Sequence, residues 1–190
     1  MNRKVLFTAA LFLFLVFGFL QPVFSQQNSL GVILNHYSPR NFTTGAIPAA
    51  DLNQIIQAGI RAPSAGNRQP WHFTVVQDQA LARQIVSQNV DGNILIVVSA
   101  QGDGKTNGVQ ILDCALATQS IYLAAQALGY GSRIYTGPMD AINSRFKTEL
   151  GLPSGHSAVA LIRIGRLQGT VDAVSAASAR KSAEEIVTYK

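Results

Sequence analysis

The chain holds a single cysteine, Cys114, so no disulfide can close within it. That thiol falls in an apolar helical run, where the expectation is a buried, inert sulfur and not a nucleophile. Histidine is also scarce. His36, His72 and His156 lie scattered through 190 residues, and with one cysteine they make no ligand set for a metal. Charged residues are only 13% of the chain against 47% hydrophobic, which excludes a disordered chain. No basic stripe with interleaved aromatics marks a nucleic-acid surface. Paired catalytic carboxylates and a Ser-His-Asp constellation are also missing, so acid–base or nucleophilic catalysis by side chains has no candidate. Two glycine motifs fail as well. Gly104-Lys105-Thr106 follows a strand-like run as a phosphate loop would, but the pattern needs glycine where Ser99 stands, leaving a flexible turn. Gly129 and Gly131 lack the third glycine of a dinucleotide fingerprint, its place being taken by Ile134.

What is present begins with Arg3 and Lys4, a nearly unbroken apolar run over 5–20, and Val23-Phe24-Ser25. Residues 1–25 read as a secretory signal cut before Gln26; the alternative is an uncleaved anchor, since the run approaches the roughly 20 residues that cross a bilayer. Both readings keep the basic residues cytoplasmic and export residues 26–190, to the periplasm or another extracytoplasmic space. Setting Arg3 and Lys4 aside reduces the net charge from +5 to +3, which is compatible with a phosphate-bearing ligand. The length predicts one domain.

Periodicity then gives a short helix over 26–36, with Leu30, Ile33 and Leu34 on one face, and a second over 48–61 burying Leu52, Ile55, Ile56 and Ile60. A strand is predicted over 71–76 and a helix over 78–88. The β-branched run 94–99 marks a strand covered on both faces. Residues 109–128, apolar nearly all round, form the longest helix, placed centrally or at a subunit contact. An extended segment over 132–136, a helix over 139–150, a strand over 157–165 whose alternation Arg163 spoils, and a small polar arm over 169–178 complete the pass.

Polar groups concentrate in a few connections. Residues 61–76, RAPSAGNRQPWHFTVV, hold two prolines that forbid regular pairing, a glycine that permits close approach, and Ser64, Asn67 and Gln69 as donors and acceptors. This is either a ligand-gripping loop or a surface connector. Ser38 and Arg40, two apart in an extended stretch, point the same way and could grip one anion, or belong to an exposed connection. Arg180 and Lys181, ahead of a short acidic helical start, read as a solvated patch or an anion clasp.

Taken together these segments resemble the nitroreductase family of flavin enzymes. Ser38-Pro39-Arg40-Asn41-Phe42 is similar to that family's R-x-S-x-R-x-F element, and residues 62–73 to its A-P-S-x-x-N-x-Q-P-W-x-F element. Residues 129–137 resemble its segment beneath the flavin ring, and Arg180-Lys181-Ser182-Ala183-Glu184-Glu185 its closing basic element. The resemblance implies an α+β fold, an α-β-α sandwich on a mostly antiparallel sheet, forming an intertwined homodimer with FMN at the subunit interface. It implies that Ser38 and Arg40 contact the ribityl-phosphate and ring edge, that Arg180 and Lys181 hold the phosphate through charge-assisted bonds, and that Pro63, Ser64 and Asn67 reach the partner's flavin. Thr136 and Gly137 would lie against the ring, a backbone N–H addressing N5.

Two departures stand out. His36 occupies the place of the family's first arginine, giving an imidazole whose charge switches near neutrality. The connections over 83–93 and 100–112 are short where family enzymes insert helices that roof the pocket, which predicts an open site. The implied activity is oxidoreduction by alternate binding: NADH, NADPH or an extracytoplasmic redox partner gives electrons, and a planar acceptor such as a nitroaromatic or quinone takes them. A flavin- or small-ligand-binding protein without turnover is the alternative.

Overall fold

The computed structural model describes residues 29–105, 107–168 and 179–190. The predicted signal, Thr106 of the Gly-Lys-Thr turn and the predicted arm over 169–178 lie outside the described residues. In chain order the elements are α1 (Ser29–Asn35), α2 (Ala49–Ile60), a 3-10 turn (Ala65–Asn67), β1 (Trp71–Val76), α3 (Gln79–Ile85), β2 (Ile94–Gln101) and α4 (Gly108–Ala127). There follow β3 (Gly131–Tyr135), α5 (Met139–Ala141) running into a π-helical turn (Ile142–Phe146), β4 (His156–Gly165) and α6 (Ala183–Ile186). Among the described residues no helix is long and apolar enough to cross a membrane.

The four strands form one sheet in the order β1-β2-β4-β3, each neighbouring pair antiparallel. Its interior follows from the sequence of β2, where every residue from Ile94 to Ala100 is buried. Successive side chains divide between two cores. Ile94, Ile96 and Val98, with Ile162 and Ile164 of β4, face α2 and α4 and meet Ile55, Cys114, Ile121 and Ala125. Leu95, Val97 and Leu161 face the opposite way, against Ala82, Val86, Ile142 and Leu150. This is the α-β-α layering that the resemblance implied. Removing each fully buried isoleucine from water is worth ~1.5–3 kcal/mol, and both strands and helices contribute such residues.

Local packing sets where the connections lie. A Cβ on Gly59 of α2 would sit 2.6 Å from Ile121 Cγ1 of α4, so the two helices touch backbone to side chain at that point. Val98 pairs with Ala160 and Ser99 with Ala158, leaving Val159 as the extra residue of a bulge in β4. Beside it Asn143 clamps the strand twice: its Nδ2 donates to the Ala158 carbonyl (3.0 Å) and its Oδ1 accepts from the Ala158 N–H (2.8 Å).

Several expectations shift. Ile60, predicted buried, is exposed at the end of α2, and the face formed by Leu30, Ile33 and Leu34 is exposed as well. Helix α3 starts after Asp78, whose Oδ1 accepts from Ala80 N (2.8 Å) and Leu81 N (3.1 Å). It stops at Ile85 because Val86 turns extended and drops its side chain into the second core. The helix expected over 139–150 is a short α segment followed by the π turn. Helix α4 buries Cys114, Ala117, Ile121 and Ala125 but leaves Val109, Leu112 and Leu116 exposed.

Candidate functional site

The stretch that carries His36 and Ser38 is fastened to α4 by backbone groups. Tyr122 Oη and Gln126 Nε2 both donate to the Tyr37 carbonyl at 2.7 Å, while Gln126 Oε1 accepts from Tyr37 N at 3.3 Å. Gln126 also donates to Ser132 Oγ (3.0 Å), which in turn donates to the Tyr122 carbonyl (2.8 Å), tying in the first residues of β3. His36 meets the same helix edge-on: its ring lies 5.3 Å from that of Tyr122, with Nδ1 3.2 Å from Tyr122 Oη. Burial raises the Tyr122 pKa above its ordinary value, partly offset by the Gln126 hydrogen bond and the Arg180 charge.

These contacts shape a cavity of about 250 Å³ lined by His36, Tyr37, Ser38, Gln119, Tyr122, Ile134 and Arg180. Residues far apart in sequence thus converge: the opening element, the middle of α4, β3 and the closing basic element. Arg180 reaches the cavity from just ahead of α6, whose start is fixed by a capping box in which Glu185 Oε2 accepts from Ser182 N at 2.8 Å. Lys181 beside it is exposed and does not line the cavity. Chemically the lining offers a guanidinium, a hydroxyl and an imidazole together with an isoleucine and a tyrosine ring. Such a set suits an anionic group joined to a flat apolar body.

Arg40 departs from the expectation that it works alongside Ser38. The chain bends at Arg40, so the two-residue alternation of an extended strand is lost, and Arg40 lines a different cavity with Arg133 and Arg163.

Pro63, Ser64 and Asn67 sit outside the His36 cavity, on a loop of unusual backbone. Gly66 (φ 59°), Asn67 (φ 55°) and Gln69 (φ 47°) all occupy the left-handed region, which costs the two non-glycine residues of the order of 1 kcal/mol each. Internal bonds hold the turn: Ser64 Oγ accepts from Gln69 N (3.0 Å), and Gln69 Nε2 donates to Asn67 Oδ1 (3.1 Å). Pro63 and Asn67 are exposed and Ser64 half-buried, so the loop presents itself outward. Thr136 and Gly137, directly after β3, are exposed too, and a Cβ on Gly137 would meet nothing within 4 Å, leaving that backbone approachable.

Four contributors escaped the sequence reading: Asp113, Gln119, Tyr122 and Gln126. The last three recur at helical spacing along an otherwise apolar α4, and that polar stripe was the available signal. Asp113 is 2% exposed; its Oδ1 accepts from Ala65 N at 2.9 Å, and its Oδ2 is buried without a hydrogen-bond partner.

The model of the nitroreductase family matches residues 33–89 and 90–166, which takes in the first three polar segments and leaves out Arg180 and Lys181. A protein of Archaeoglobus fulgidus, provisionally named an NADH dehydrogenase/NAD(P)H nitroreductase, is 31% identical over 149 residues, 73% of this chain and 85% of its own length. Among solved structures, a nitroreductase with bound FMN from Bacteroides fragilis superposes with a TM-score of 0.71 at 23% identity, over 86% of this chain and 99% of that one. A nitroreductase with bound FMN from Desulfitobacterium hafniense gives 0.71 at 25% identity, over 85% and 97% of the two chains.

Proposed function

This chain belongs to the nitroreductase family, and on that premise we propose that it is an FMN-dependent oxidoreductase. The observation that carries this reading is the cavity where His36, Ser38 and Arg180 meet beside Tyr122 and Ile134. Arg180 and Ser38 would bind the phosphate end, and Ile134 and Tyr122 would lie along the apolar body. When bound, the flavin supplies reversible electron uptake and release, so this chain needs no side-chain acid or base. Its residues bind, orient and expose: Gly137 keeps backbone uncovered at the place where a ring would approach.

The cavity of about 250 Å³ is smaller than the roughly 300–1,000 Å³ usual for ligand pockets, and no residue of the Pro63–Asn67 loop lines it. Both facts support a homodimer in which each loop serves the partner's cofactor. So does the exposed apolar surface of Leu30, Ile33 and Leu34 on α1 and Leu112 and Leu116 on α4. The proposed substrates are NADH or NADPH as donor and nitroaromatics, quinones or similar planar compounds as acceptors, binding in turn. Residues 1–25 are proposed as an export signal or anchor; in that setting an extracytoplasmic redox partner takes the place of the nicotinamide donor. An intact Met1 on protein isolated from the soluble fraction of its host overturns the export reading.

The central test is the visible spectrum of the purified protein, followed by NADH under anaerobic conditions. Flavin bands that bleach with NADH and return with a quinone are the expected result. Flavin bands that no donor bleaches leave only a binding protein, and a colourless protein that takes up no added FMN sinks both.

A further inference from the structure

Strand β3 separates two concave sites. Its successive residues point to opposite faces: Ile134 lines the His36 cavity, whereas Arg133 lines a larger one, about 670 Å³, on the other side of the sheet. That second cavity gathers Arg133, Arg163 and Arg40 with the amides of Asn41, Gln88 and Gln168, and none of the described residues lining it is acidic.

Arg163 is the anomaly. It stands in the middle of β4, directly opposite Arg133, and is only 1% exposed. A buried guanidinium is costly unless an opposite charge accompanies it. Neither Arg163 nor Arg133 takes part in the ion pairs Arg83–Asp91 and Lys105–Asp140. What Arg163 has instead is neutral. Its Nε donates to Asn93 Oδ1 (2.9 Å), and its guanidinium lies 4.2 Å over the Phe42 ring. Asn93, itself fully buried, is oriented by donating from Nδ2 to the Thr43 carbonyl (3.1 Å). Arg133 is likewise placed by neutral groups, donating to the Pro39 carbonyl at 3.4 Å and lying 5.2 Å over the Tyr135 ring. Burial lowers the Arg163 pKa from its ordinary value; a hydrogen bond with Tyr135 opposes the shift, and the like charge of Arg133 adds to it. Amide, carbonyl and ring contacts fix the direction of these forks, and none of those groups carries a negative charge. A low-dielectric cleft lined by one sign of charge concentrates counter-ions.

We infer that the cleft between Arg133 and Arg163 is a binding site for a small oxyanion carrying two or more negative charges, phosphoryl or polycarboxylate, distinct from the flavin cavity. The planar fork of the partly exposed Arg133 matches paired oxygens of either group, the buried Arg163 adds its charge from the floor of the cleft, and the flanking amides donate to the oxygens left over.

The test is calorimetric titration of the full chain, saturated with FMN, by pyrophosphate and by citrate in separate arms, with chloride as control. Saturable binding of one or both polyanions is expected, weakening as salt rises. Arg133→Gln, on a partly exposed edge strand, should weaken it at least about tenfold through the loss of one charge-assisted contact. Pyrophosphate alone would identify a phosphoryl site and citrate alone a carboxylate site. Three outcomes overturn the inference: no heat from either polyanion, release of the bound FMN as the polyanion is added, or affinity unchanged in Arg133→Gln. Release of FMN would assign the cleft to the flavin while leaving the proposed function standing. Failure of the protein to take up flavin would sink that function but not the anion site, which is then titrated without FMN.

Discussion

The N–H of Ala65 donates to Asp113 Oδ1 at 2.9 Å, so a loop of the candidate site is fastened to the longest helix by a carboxylate that is 2% exposed. The bond links residues 48 apart and stands at the start of the turn in which Gly66, Asn67 and Gln69 hold left-handed conformations. Removing it with Asp113→Ala frees the loop and also removes a buried oxygen with no partner. Net destabilisation of ~1–3 kcal/mol is expected in urea unfolding, with faster loss of flavin on dialysis. Wild-type flavin retention in a folded Asp113→Ala protein would deny Asp113 this positioning role.

Asn67 combines a strained backbone with an exposed amide. Asn67→Ala loses both the conformational preference and the side chain, whereas Asn67→Gly keeps only the backbone. If the amide serves the partner's flavin, both variants retain less FMN after gel filtration. Unchanged occupancy in the two variants counts against that assignment.

Replacing His36 by arginine restores the cation expected from the family pattern at a residue lining the cavity. One added charge-assisted bond is worth about 1.5–3 kcal/mol, so His36→Arg should bind FMN roughly tenfold or more tightly by flavin fluorescence titration. Weaker binding would show that the Tyr122 contact matters more than charge.

Leu112 is 60% exposed on α4 although it is among the most apolar residues of the chain. Leu112→Glu places a charge there without touching either core. Sedimentation should show a folded monomer that has also lost flavin, since the proposed loop contacts come from the partner. A dimer that persists would place the subunit contact elsewhere.

Cys114 has its thiol pKa pushed up to about 11 from its ordinary value of 9.0, by burial first and the Asp113 charge second. Between those values the unfolded chain gives up a proton that the folded chain keeps. The thiol's contribution to stability is therefore full below pH 9 and falls as pH rises toward 11. Thiol reagents at pH 8 should leave Cys114 unmodified until denaturant is added; rapid labelling of the native protein would contradict its burial.

Much of this was legible in sequence because it depends on local periodicity. The run 94–99 announced a strand covered on both faces, and β2 is buried from Ile94 to Ala100. The Pro63 to Gln69 stretch announced a special loop, and its backbone is special. What escaped depends on contacts distant in the chain. Asp113 is a polar residue within a largely apolar helical run, and only the fold brings it to Ala65. Ser38 and Arg40 looked like partners because alternation assumes an extended backbone, which the bend at Arg40 interrupts. Arg163 looked like a flaw in a strand, yet it faces a cleft that it shares with Arg40, Asn41 and Phe42, more than a hundred positions earlier.

Gly59 lies three residues before Ala62, where the loop begins, and its missing side chain lets α2 rest against Ile121 with no spacer. The distance between loop and helix, and with it the reach of the Asp113 carboxylate toward Ala65, is thus calibrated by a single hydrogen atom. A methyl group at 59 would act as a shim, lifting the end of α2 and carrying the loop's origin away from its anchor while every residue of the loop stayed the same.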